Sequence, residues 1–150
     1  MSNMISELKF AERLREFMIT KSLTATALAE KTGIPRSTIS GLLREEHLPS
    51  TKALRVLADF FQCPTDYLLG LTDDYPENIK FRTESRSFEE MFRKILEETK
   101  TTQYALTKVG KISGNLIYKW LHSQAEPSVY NLMKLSRFLN IPVDYLLDRE

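Results

Sequence analysis

The side chains best suited to covalent or metal chemistry are few in this chain, and they do not converge. Cys63 is the single cysteine, so no disulfide can close within the chain and no thiolate pair can take up zinc. The histidines, His47 and His122, lie far apart, and neither has a serine, cysteine or carboxylate set repeated around it as a hydrolytic site would need. Catalytic residues, metal ligands and cofactor-binding motifs are therefore not expected, and an enzyme is the least supported reading. What remains is hydrogen-bonding chemistry. On composition alone Arg36, Arg44, Asn115 and Lys119 are solvated surface groups, so any role for them must come from the elements that hold them.

The 150 residues carry 21 Lys+Arg against 20 Asp+Glu, with 42% hydrophobic and 10% aromatic residues. This is ordinary globular composition, and a net charge of +1 does not by itself announce a polyanionic partner. Residues 8–70 hold nine basic and seven acidic side chains, and residues 88–150 nine and eight, so neither half is a basic tail. No run of about 18 apolar residues is present to span a membrane. Glu7 and Lys9 break the apolar core that a secretory signal would need. The expected location is the reducing cytoplasm.

The organising feature is a repeat. Adding 78 to a residue number carries Phe10 to Phe88, Arg15 to Arg93, Thr24 to Thr102, Leu28 to Leu106, Ile39 to Ile117, Pro49 to Pro127, Pro64 to Pro142 and Asp66-Tyr67-Leu68-Leu69 to Asp144-Tyr145-Leu146-Leu147, without a gap. The shared positions are mostly those a helical core needs, so the halves read as two copies of one small domain, at 7–70 and 88–150. Residues 71–87, LTDDYPENIKFRTESRS, are polar, contain Pro76 and Asn78, and read as a linker. They would extend to ~55 Å or span ~22 Å as a coil, less if Ile79 and Phe81 dock.

Each copy repeats the same helix signals, with no strand of any length. Phe10, Leu14, Phe17 and Met18 form one face of a first helix; Phe88, Phe92, Ile95 and Leu96 match it, behind Ser87 and Glu90 in capping-box spacing. Thr24 and Thr102 stand as N-caps. Pro-Ser at 49–50 and 127–128 opens a helix, and Pro64 and Pro142 start a short one whose Asp66 and Asp144 face free amides. The fold class is all-α, about five helices per copy. Cys63 aligns with Ile141 and Trp120 with Leu42, both pointing to core positions.

Within copy one, TATALAEKTGIPRSTISGLLR has two short helices joined by a turn at Gly33, with Leu28, Ala29, Ile34, Ile39 and Leu42 inward. Here the chain resembles the helix-turn-helix family of phage-type repressors, the Cro, CI and Xre-like group. The resemblance covers almost all of both copies and implies two tandem five-helix lambda-repressor-like domains. It further implies a recognition helix in the major groove, about 36–45 in one copy and 114–122 in the other, with the start of the preceding helix on phosphate. Carried over by position, Arg36, Ser37, Thr38, Ser40 and Gly41 face DNA in copy one, with Arg44 nearby and Thr24 on the backbone. In copy two the matching residues are Gly114, Asn115, Leu116, Tyr118 and Lys119, with Thr102 and Gln103 on phosphate. Arg36 would fork onto guanine, Asn115 pair with adenine, and Lys119 reach guanine or phosphate.

Two departures stand out. The family's amide at the start of the second helix is Gln103 in copy two but Ala25 in copy one. Conversely, copy two has Thr107 where the small residue belongs and Lys111 at the place of Gly33, which costs on the order of 1 kcal/mol in a left-handed turn unless the turn shifts to Gly110. The resemblance implies a sequence-specific, repressor-like transcription regulator whose partner is double-stranded DNA, reading two unlike half-sites about one helical turn (~34 Å) apart. The alternative is that one copy serves protein interaction or dimerisation; a homodimer through the Tyr-Leu-Leu helices stays open. No small-molecule ligand is evident from the residues.

Overall fold

The structure, a computed structural model, describes residues 2–75, 80–82 and 84–150. Among the described residues there are ten α-helices and no strand, and the chain divides into two compact units, Met1–Ile79 and Lys80–Glu150. Unit one contains α1 (Ser2–Thr20), α2 (Ala25–Thr32), α3 (Arg36–Leu43), α4 (Thr51–Phe61) and α5 (Thr65–Leu68). Unit two contains α6 (Phe88–Thr99), α7 (Gln103–Lys108), α8 (Gly114–Leu121), α9 (Val129–Leu139) and α10 (Val143–Leu146). Among the described residues no helix is long and apolar enough to cross a membrane, and no group of His, Cys, Asp and Glu could hold a metal ion.

The apolar positions that repeat at 78 residues are the core. Phe10, Leu14, Leu28, Ile39, Leu42, Leu54 and Leu57 are fully enclosed in unit one, and Phe92, Leu106, Ile117, Trp120, Leu132 and Leu135 do the same in unit two. Each such side chain contributes ~1.5–3 kcal/mol by leaving water. Cys63 is fully buried, as its alignment with Ile141 suggests. Trp120 packs edge-on against Phe88 and Phe92, so it is a core residue, at the cost of a buried indole N–H that has no partner among the described residues.

The helix starts follow the capping signals. The hydroxyls of Thr24 and Thr102 accept from the amides of Ala27 and Ala105 at 3.1 Å, and those of Ser50 and Ser128 from Ala53 and Asn131; each such cap contributes about 1 kcal/mol. Ser87 caps α6 by accepting from Glu90 N at 3.2 Å. Copy one has Lys9 in that place, with no capping oxygen, and α1 instead runs on to Ser2.

Both ends of segment 71–87 carry contacts to the unit they adjoin. Arg13 donates to the carbonyls of Tyr67 and Thr72 at 2.5 and 2.6 Å and pairs with Asp73 at 2.7 Å, while Tyr75 lies against Phe17 and Tyr67. In unit two Arg82 N donates to Arg149 O at 2.9 Å, and the Arg149 guanidinium stacks on Phe81 at 4.2 Å. Phe81 therefore docks; Ile79 lies outside the described residues. Arg86 holds the Asp148 carboxyl below the usual aspartate range through a hydrogen bond, and Arg149 makes a buried pair with Asp144 at 2.5 Å.

Gly33 caps α2 with φ 77°. Its counterpart Lys111 takes the same left-handed region, φ 56°, so the turn does not shift to Gly110. Gly110 is held for another reason: a Cβ there would come within 2.7 Å of Leu106 O. Lys111→Gly is expected to stabilise unit two by about 1 kcal/mol, raising its melting temperature by ~4–8 °C. Thermal unfolding followed by Trp120 emission measures this directly.

Candidate nucleic-acid interface

In unit one α3 packs against both α1 and α2, and Leu28 of α2 is fully buried. The exposed end of α3 is its start. Arg36 and Ser37 are exposed, while Thr38 and Ser40 are half-buried on the same short helix. Pro35, at the N-cap, offers no side-chain acceptor to the first amides. Thr24 is exposed; its cap uses oxygen lone pairs, which leaves the hydroxyl proton to donate to an anion.

Two expected contacts look different in the structure. Gly41 is buried, not exposed: the chain reverses at Glu45, φ 63°, and folds residues 46–47 over α3, so that a Cβ on Gly41 would lie 2.8 Å from His47 Nε2. Arg44 is exposed but engaged, donating from Nε to Glu46 at 2.8 Å. This hydrogen bond raises the arginine's pKa and lowers that of the glutamate.

Unit two repeats the arrangement with altered chemistry. Thr102 and Gln103 are exposed at the start of α7; Gly114 and Asn115 are exposed at the start of α8, Leu116 is half-buried, and Lys119 is half-buried one turn on. Tyr118 is 53% exposed and stacks on His122 at 4.0 Å. Ser113 accepts from Asn115 N at 3.2 Å, fixing the helix start. Thr107, in place of the small residue, is accommodated: its hydroxyl donates to Tyr104 O at 2.9 Å, and its methyl lies 3.8 Å from where a Gly114 Cβ would stand.

One pair carries a role that the sequence reading did not give it. Arg15 donates to Leu43 O at 2.8 Å, and Arg93 donates to Leu121 O. Each arginine of the first helix therefore satisfies a carbonyl at the end of the next helix but one, where cations are favoured by the helix dipole. The signal was present, since Arg15 and Arg93 are among the few identical positions that no apolar core requires.

The sequence profile of the helix-turn-helix family matches the chain twice, over residues 14–68 and 92–146, at the same 78-residue offset. Over 65 residues the chain is 40% identical to a Bacillus subtilis (strain 168) protein named uncharacterized HTH-type transcriptional regulator YobD; the alignment covers 43% of this chain and 58% of that protein. The chain thus spans a little over half the length of this curated relative. No solved structure matches it. With two profile matches that together take in most of its length, on helices α1–α5 and α6–α10, this chain belongs to the helix-turn-helix family of Cro/CI/Xre type.

Proposed function

We propose that the chain is a sequence-specific, double-stranded DNA-binding transcriptional regulator, repressor-like in action and cytoplasmic, with one reading head in each of the domains 7–70 and 88–150. The observation that carries this is a short helix with hydrogen-bonding residues at its exposed start, braced at its end by an arginine of the first helix, and present twice. Arg36, Ser37, Thr38 and Ser40 meet base edges or their flanking phosphates in one half-site, and Asn115, Tyr118 and Lys119 in the other. Thr24, Thr102 and Gln103 position the units on phosphate. Gly41 contributes no side chain to the contact, and Arg44 takes part only when it leaves Glu46.

Selecting the purified chain against a random duplex library at near-physiological salt, then footprinting the enriched sites, tests this reading. Two unlike half-sites are expected. A single half-site would give one copy another purpose, such as protein interaction, and weak salt-sensitive binding without enrichment would overturn sequence reading altogether.

The Arg44–Glu46 pair gives a second test. Glu46→Gln removes a negative charge beside the recognition helix and releases the guanidinium. Binding is expected to tighten severalfold, and the slope of log K against log salt to steepen by about one, as read by fluorescence anisotropy across a salt series.

A further inference from the structure

Unit one holds a surface cavity of about 200 Å³ lined by Glu16, Phe17, Thr20, Tyr67 and Tyr75. We propose that it binds a small alkylammonium cation. Its walls are three aromatic rings turned in different directions: Phe17 and Tyr67 lie 6.0 Å apart at 75°, Tyr67 and Tyr75 5.1 Å apart at 62°, and Phe17 and Tyr75 5.7 Å apart at 49°. Ring faces are negative and attract cations, most strongly those whose methyl groups leave them weakly hydrated. Glu16 stands at the same opening, exposed and without an ion-pair partner among the described residues, and supplies the counter-charge. The Arg13 guanidinium, paired with Asp73, lies over the Tyr67 ring at 4.0 Å, so one face of that ring already holds a cation and only its remaining surface is open to a ligand.

The second copy is an internal control. At the position of Glu16 it has Lys94, and at that of Thr20 it has Glu98. The Lys94 ammonium sits 5.5 Å from the centre of the Tyr145 ring and 3.6 Å from Glu98, whose carboxylate also accepts from the Tyr145 hydroxyl at 3.0 Å. Unit two thus supplies its own ammonium group at this place. Unit one has a carboxylate in place of that lysine, has Phe17 in place of Ile95, and brings Tyr75 against Phe17 and Tyr67. An ammonium from outside suits the cavity; its volume is below the ~300–1,000 Å³ of pockets for drug-sized ligands, which favours a compact ion.

The probe is choline chloride, titrated into the full chain at constant ionic strength and followed by the proton resonances of the Phe17, Tyr67 and Tyr75 rings. Its neutral isostere, 3,3-dimethylbutan-1-ol, is titrated in parallel. Saturable shifts with a Kd of about millimolar order are expected for choline, with the isostere at least about fivefold weaker. Glu16→Lys, which copies unit two at an exposed helical position, is expected to abolish the choline shifts while leaving the ring resonances dispersed as in a folded unit. Equal binding by the isostere, choline binding unchanged in Glu16→Lys, or no saturable shift would each overturn the proposal.

Discussion

Arg36→Ala is expected to weaken binding to the selected duplex by about 5- to 150-fold, and to do so through one half-site only. The magnitude follows from the ~1–3 kcal/mol of discrimination carried by a bidentate arginine–guanine contact. The restriction to one half-site follows from the repeat: the matching position, Gly114, has no side chain, and Asn115 carries the polar function one residue later. Arg36 is exposed at the start of α3, so its removal creates no cavity and should leave the thermal stability of unit one unchanged. Anisotropy titrations against duplexes scrambled in either half-site separate the effects. Equal loss at both half-sites, or equal loss on unrelated duplex, would remove Arg36 from base recognition and leave it a general phosphate contact.

Asp144→Ala is expected to destabilise unit two by ~3–5 kcal/mol, because it leaves the Arg149 guanidinium enclosed without its carboxylate. Both side chains are almost wholly buried, at 2% and 3% exposure. A unit of this size has little to spare within the ~5–15 kcal/mol typical of folded proteins, so the variant should be largely unfolded at 37 °C. Arg149→Leu should also destabilise, since it leaves the Asp144 carboxylate enclosed without its cation, and the double variant should recover most of the loss. If Asp144→Ala melts like the parent, the pair contributes nothing and Arg149 reaches solvent when unpaired.

The parts of the molecule legible in the sequence are those that period and chemistry write twice. The core followed from apolar residues shared at an offset of 78, and the starts of α2, α4, α6, α7 and α9 from a hydroxyl placed where an amide needs an acceptor. The early start of α1 was not legible, because periodicity marks the buried stripe and Lys9 gives no stop signal. The docking of Phe81 was within the sequence reading, but the ion pairs around it were hidden, because Arg82, Arg86 and Arg149 look like solvated charges until Asp144 and Asp148 are beside them. Gly41 failed as an exposed contact for a related reason: its cover comes from Glu46 and His47, whose path depends on the reversal at Glu45. At the candidate interface, residue types were readable from position in the motif. The brace formed by Arg15 and Arg93 was not, since a carbonyl 28 residues away has no sequence signature.

Cys63 and Trp120 are each the single residue of their type in the chain, and each is enclosed in a different unit, with 0% and 1% exposure. A thiol reagent can reach Cys63 only when unit one opens, so its rate of modification counts openings of that unit. The indole in unit two is blind to those events. The chain therefore contains one native reporter for each half, and a comparison of labelling kinetics with emission, with and without DNA, would tell which half a duplex closes first and how strongly the two are linked.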